Sequence, residues 1–353
     1  MPQPLAPPTR TRHNRPMNPA HDEAPSGAQA TTAGDPAQTA PAGPDKSASK
    51  QPSKAASKAP GAAEAEPAYT KFTFTDAHDV EITAYEWRPS GGEEPVAVVQ
   101  ISHGIGEHAR RYDAFAQYLT KAGFAVYADD HRGHGQTGVT QYGGDLSKLG
   151  KLGPGGLAAT ENAILQLTAI IRERHPDLPV VMFAHSWGSL MAQRILNSHP
   201  RAWDALVLSG SALRTFRHME SGDLNAKWAS ESANGFEWLT RDGAEVAKFI
   251  ADPLCFEADI LRLFGVADGL RLFGRPVAGL APEVPILIVS GSEDSISRGD
   301  GLTQLAEAFR KRGVRDVTLK LYPGARHETL NETNRDQVFV DLSTWMLDRV
   351  ASD

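Results

Sequence analysis

The chain has 353 residues, 41% of them hydrophobic and 22% charged, the composition of a globular protein of one large or two average domains. A net charge of −7 gives no electrostatic reason to expect nucleic acid as a partner. The single cysteine, Cys255, excludes an intramolecular disulfide and leads us to expect no cysteine-based zinc site, and it fits a reducing, cytoplasmic compartment.

Residues 1–67 hold 13 of the 24 prolines and no Phe, Trp or Tyr. Such a segment has too little apolar surface to offset the entropy of ordering it, so it reads as a disordered tail. Arg10, Arg12 and Arg15 are not followed by an apolar stretch, which argues against a secretory signal. Lys46, Lys50, Lys54 and Lys58 recur every fourth residue, but Pro52 interrupts any helical face they could form. The tail therefore reads as a solvated spacer, with weak binding to an anionic surface as the alternative. No run of about 18 apolar residues occurs anywhere, so no transmembrane helix is expected.

Order is expected from residue 68 onward. Residues 70–87 alternate in two runs around Asp76-Ala-His-Asp79, a hairpin pattern. The apolar runs at 95–102 and 124–128 read as buried strands, separated by a helix near 110–122 with Tyr112, Phe115, Ala116 and Leu119 on one face. Strands at 179–184, 204–209, 285–290 and 317–322 alternate with helices at 156–175, 187–199, 301–312 and 335–350. This alternation predicts a mostly parallel α/β sheet with helices on both faces and an antiparallel edge from the hairpin. Between the strands at 204–209 and 285–290 lies an insertion, about 212–280, rich in Phe and Trp, which reads as a small helical cap.

Ligands of parallel sheets sit beyond the carboxyl ends of the strands. Ser186, in Met182-Phe-Ala-His-Ser-Trp-Gly-Ser189, lies at such an end, where a tight turn would push its side chain out. The structural alternative is a serine that only caps the next helix. A nucleophilic serine needs a base and an orienting acid. His327 follows the strand at 317–322, and Asp294 follows the strand at 285–290, so both fall on the same edge as Ser186. Glu293 is the rival acid, and one step of register would turn it away. His185 adjoins Ser186 too closely to serve as base and reads as packing beneath the turn. His131, His134 and His199 read as structural. No His-Glu-x-x-His or similar spacing appears, so no metal is expected. An oxyanion hole would draw on the backbone N–H of Trp187 and, from the loop His103-Gly-Ile-Gly-Glu-His108, that of Ile105.

The motifs HGIGEHARRY (103–112), DDHRGHGQT (129–137), AHSWGS (184–189), SGSED (290–294) and YPGARHETLNE (322–332) occur in one order across about 285 residues. On these the chain resembles the monoacylglycerol lipase and lysophospholipase-like group of the α/β-hydrolase fold. The resemblance implies an eight-stranded, mostly parallel sheet with a cap over an acyl tunnel. It implies Ser186 as nucleophile, Asp294 as acid, His327 as base, and Ile105 and Trp187 as oxyanion donors. It implies a serine ester hydrolase acting on a lipid-like small molecule, with no cofactor, and is compatible with peripheral membrane contact. Two departures stand out: Ala184 occupies the first glycine of the usual G-x-S-x-G, and Ser189 replaces a common glycine. The rival readings are a carboxylesterase, thioesterase or amidase on small non-lipid substrates, an aminopeptidase on the same scaffold, and a catalytically silent binding protein.

Overall fold

The computed structural model describes residues 68–350, so the segment read above as a tail, 1–67, lies outside the described residues. β1 (Thr70–Thr75) and β2 (Glu81–Trp87) form the hairpin. β3 (Ala97–Ser102), β4 (Phe124–Asp129), β5 (Val180–His185), β6 (Ala205–Ser209), β7 (Ile286–Gly291) and β8 (Val317–Tyr322) run parallel to one another. The eight strands make one sheet in the order β1-β2-β4-β3-β5-β6-β7-β8, with β2 antiparallel to β4.

The helices are α1 (Asp113–Lys121), α2 (Gly135–Gln141), α3 (Gly156–Arg174), α4 (Trp187–Ser198), α5 (Gly243–Ala251), α6 (Ile260–Arg271), α7 (Gly301–Lys311) and α8 (Arg335–Val350). The period-2 alternation of side chains sorts each central strand onto two faces. Val98, Met182, Leu206 and Ile288 pack on one face against Ile164 and Leu167 of α3, Leu190 of α4 and Leu305 of α7. Val99, Phe183, Val207 and Val289 pack on the other against Phe115 of α1 and Leu342 and Met346 of α8. Both faces are therefore closed to water, and this is why β3 to β7 are buried along their whole length. Gln100, a polar residue within β3, is satisfied by donating to Ile164 O (2.9 Å) and accepting from Thr168 Oγ1 (2.6 Å).

β3 lies between β4 and β5, so the chain leaves it to one side and returns on the other. The turns after β3 and β5 meet at that switch point, on the carboxyl edge where ligands of such sheets bind. The connection from β6 to β7 contains α5 and α6, which begin at Asp242 and Asp259, caps that accept from Ala244 N and Arg262 N. α6 breaks at Gly265, where φ is 77°. Residues 211–242 of that connection carry no α-helix, only one short 3-10 turn, so the helical expectation fits its second half alone. Among the described residues no helix is long and apolar enough to cross a membrane.

α2 has no counterpart among the predicted elements. Its glycines disfavour a helix in isolation, but they allow close approach: a Cβ on Gly138 would lie 2.6 Å from the Gly133 backbone. The buried Asp130 carboxylate holds its first turn by accepting from Gln136 N (2.7 Å).

Candidate active site

Ser186 sits between β5 and α4 with φ 53° and ψ −123°. Only it and Asp79, in the hairpin turn, are non-glycine residues at positive φ among the described residues. Such a conformation costs on the order of 1–3 kcal/mol and persists only where its surroundings over-determine it. Here Ser186 N donates to Ser209 O on β6 at 2.9 Å. The Ser186 carbonyl accepts from Ser189 N (2.9 Å), Leu190 N (3.1 Å) and Ser189 Oγ (2.6 Å). Ser189 Oγ also lies 2.8 Å from Ser211 Oγ. Ser189, a departure from the usual glycine, thus pins the turn from below.

The two small positions flanking Ser186 differ in what they meet. A Cβ on Gly188 would lie 2.4 Å from Ser102 O and 2.6 Å from His103 O, so only glycine fits. Ala184 is fully buried in β5, opposite Ser102 on β3 and Leu208 on β6, and its methyl joins the core.

His327 Nδ1 donates to Asp294 at 3.0 and 3.1 Å from the two carboxylate oxygens. Asp294 also accepts from Ser290 Oγ (2.7 Å) and Ile296 N (3.0 Å). Burial opposes its ionisation, but the His327 charge and these hydrogen bonds hold it below the ordinary aspartate range. Burial likewise opposes protonation of His327, yet the facing Asp294, with Glu328 and Glu107 beyond, raises it above the ordinary imidazole value. With the proton on Nδ1, the lone pair is on Nε2, a buried atom with no hydrogen-bond partner among the described residues. The Ser186 hydroxyl therefore makes no hydrogen bond to Nε2 here; catalytic contacts are often long or poorly aligned before substrate arrives. Glu293, the rival acid, is partly exposed and paired with Lys227.

The rings of His185 and His327 lie 4.7 Å apart, and a Cβ on Gly210 would touch both at 2.9 Å. Burial and the neighbouring His327 push His185 down to about 3, so it stays neutral and binds Ser209 Oγ at 3.2 Å. Below them lies a cluster that sequence reasoning left without a role. Arg111 Nη1 and Nη2 donate to Glu328 at 2.6 and 2.8 Å, and Nη1 also to Glu107 at 2.9 Å. Glu107 Oε1 in turn accepts from Gly104 N (2.7 Å) and Tyr112 Oη (2.8 Å). Arg111 and Glu328 are 217 residues apart in sequence, so no local pattern reveals their pairing.

The Glu107–Gly104 bond fixes the loop after β3, and a Cβ on Gly104 would come 3.0 Å from Ser186 Cβ. The loop is held from its other side by His103, whose Nδ1 donates to Gly104 O (2.6 Å) while Nε2 accepts from His131 N (3.0 Å). His131 donates to Asp129 (2.7 Å) and accepts from Ser102 Oγ (3.0 Å), a serine–histidine–aspartate chain too buried to meet substrate. His134 bonds Arg132 O at 2.9 Å, and His199 bonds Ser198 Oγ at 3.1 Å. Neither the Ile105 nor the Trp187 backbone N–H is taken by a hydrogen bond among the described residues. Trp187 opens α4, where the helix dipole adds to the attraction for negative charge.

The β6–β7 connection reaches the site. The Trp238 ring lies 4.7 Å from that of His327, and Phe256 N donates to Gly106 O at 3.0 Å.

Strand order, the strained turn after β5 and the histidine–aspartate contact past β7 and β8 set this molecule among the α/β-hydrolases. Sequence comparison narrows the class. The chain belongs to the family described as serine aminopeptidase S33, whose profile matches residues 93–334. A monoacylglycerol lipase of Mycolicibacterium smegmatis is 30% identical over 289 residues, covering 79% of this chain and 97% of the relative. The human monoglyceride lipase is 28% identical over 280 residues, covering 75% of this chain and 86% of its own length. Among solved structures, a lipase in its open form superposes with a TM-score of 0.68 at 32% identity, covering 81% of this chain and all of its own.

Proposed function

We propose that the chain is a serine ester hydrolase that cleaves lipid-like carboxylic esters, monoacylglycerol or lysophospholipid, through an acyl-enzyme on Ser186. The observation that carries this reading is the strained Ser186 turn at the same sheet edge as His327, whose free Nε2 lone pair is set by the Asp294 contact. In the proposed cycle Ser186 Oγ attacks the ester carbonyl and His327 Nε2 takes its proton. The N–H groups of Ile105 and Trp187 receive the oxyanion. The tetrahedral intermediate collapses as His327 protonates the leaving alcohol. A water then attacks the acyl-enzyme, its proton passing to His327, and the fatty acid leaves as Ser186 regains its proton. Asp294 holds the tautomer and stabilises the imidazolium.

The lipid side of the reading rests on the lipase relatives and on the surface of the segment 212–280, which acts in this proposal as the cap. Of the ten large apolar side chains exposed among the described residues, six lie in that segment: Phe216, Ile250, Leu261, Val266, Leu270 and Val277. Such a concentration suits an apolar substrate and peripheral contact with a lipid surface. A cytoplasmic location is part of the proposal, supported by the single cysteine. The family description keeps a second reading open, cleavage of an N-terminal amide. Rates on p-nitrophenyl esters from acetyl to palmitoyl, on monoacylglycerols and lysophospholipids, and on aminoacyl anilides separate the two. The proposal expects long-chain esters to exceed acetate and anilides; faster anilide cleavage overturns it.

A further inference from the structure

One group of metal-ligating side chains stands apart from Ser186, His327 and Asp294 among the described residues. His108 closes the loop that follows β3, and Asp252 and Cys255 lie on the turn between α5 and α6. Their ligand atoms all lie within 4.8 Å of one another. We propose that His108, Asp252 and Cys255 bind one thiophilic divalent cation, of the zinc and cadmium kind, which ties the loop after β3 to the segment between β6 and β7.

The turn is built for two ligands. Cys255 N donates to Asp252 O at 3.0 Å, so Asp252 and Cys255 stand at the two ends of one tight turn. That is the spacing at which Cys-x-x-Cys pairs hold zinc, with a carboxylate in place of one thiolate. Leu254 N occupies Asp252 Oδ1 at 2.9 Å, leaving Oδ2 free to face His108 Nε2 at 2.9 Å. The third ligand comes from 144 residues away, which is why local spacing predicted no metal. Zinc needs its ligands at about 2.0–2.3 Å, so neighbouring ligand atoms stand roughly 3.5 Å apart. The His–Asp contact need only widen slightly and Cys255 close by about an ångström.

The charge balance favours a cation. Glu107, Glu328 and Asp252 face a single guanidinium, Arg111, and all four charges act on the Cys255 sulfur. Three carboxylates against one cation leave two negative charges, and Cys255 adds a third when it gives its proton to water and binds as thiolate; a divalent ion neutralises two of the three. Access is available as well: His108 is buried, but Asp252 and Cys255 are only half-buried, leaving a fourth position for water. The joint being bridged already exists, since Phe256 N donates to Gly106 O at 3.0 Å beside the ligands.

The chain has one cysteine, so any thiolate-to-cobalt charge-transfer band reports Cys255. The full chain, stripped with a chelator, is titrated with Co2+ and then with Zn2+. The proposal expects a band that saturates at one equivalent and is displaced by Zn2+, and a zinc-induced rise in Tm. Cys255→Ser, which leaves the His108–Asp252 contact in place, removes both while keeping its Tm in chelator. His108→Gln and Asp252→Asn each weaken cobalt binding about tenfold or more. A missing band overturns the proposal. So does an unchanged affinity in both of those variants, or an equal zinc-induced Tm rise in Cys255→Ser. None of these readouts uses ester turnover, so they stand apart from the fate of the proposed activity.

Discussion

Gly188→Ala perturbs the turn at its tightest point. The new Cβ would lie 2.4 Å from Ser102 O, 2.6 Å from His103 O and 2.7 Å from Ser102 Oγ. A carbon–oxygen contact relaxes near roughly 3.3 Å, so about 0.9 Å must be found. Two of the three atoms are backbone and cannot rotate away. Either α4 lifts, moving the Trp187 N–H, or the end of β3 retreats, carrying Ile105 with it. Overpacking of this kind costs ~1–3 kcal/mol, a fall in Tm of roughly 2–5 °C for a domain of this size. A displacement near 1 Å in a positioned donor costs about 100-fold in rate. Ala184→Gly is the control, because it removes one methyl from a core position. It costs ~1–2 kcal/mol and leaves turnover within about threefold of wild type. The assay is kcat and KM on a soluble p-nitrophenyl ester, beside thermal unfolding. If Gly188→Ala folds and keeps turnover within about threefold, the close approach between α4 and β3 does not position the donors.

Three further outcomes follow from the same geometry. Because His327 must be neutral to accept a proton and Asp294 raises it, the acid limb of kcat/KM falls above the ordinary imidazole value of 6.5. Asp294→Asn moves that limb to lower pH and depresses kcat by about 10⁴-fold; an unmoved limb contradicts the assignment. Glu328→Gln breaks a buried pair with Arg111 and costs ~3 kcal/mol, the low end for such a loss because Glu107 still faces the guanidinium. Burial opposes ionisation of Glu328, but Arg111 draws it down to about 2, below its unfolded value of 4.5. Its contribution is therefore full above 4.5 and fades as pH falls toward 2, so the gap in stability between wild type and Glu328→Gln should close over that window in urea titrations.

The strands were legible because β3 to β7 are buried on both faces, and burial leaves unbroken apolar runs that nothing else in the chain imitates. Ser186, Asp294 and His327 were legible for a related reason: in a parallel sheet, residues just past successive strands share one edge without any knowledge of contacts. α2 was hidden because its helix depends on Asp130 and on glycine packing, not on its own propensity. Glu328 and Arg111 were hidden by sequence distance, as were His108 and Asp252. Ser189 stood in the sequence as a departure without a purpose. Its hydroxyl reaches back three residues to the Ser186 carbonyl, a contact that exists only because α4 begins at Trp187.

In the proposed reaction Ser186 carries the attacking oxygen. Intact-mass measurement after treatment with a fluorophosphonate tests it most directly. Wild type should take one adduct, mapped to the peptide holding Ser186, while Ser186→Ala takes none and His327→Ala labels slowly. Equal labelling of Ser186→Ala, or an unlabelled and correctly folded wild type, contradicts it.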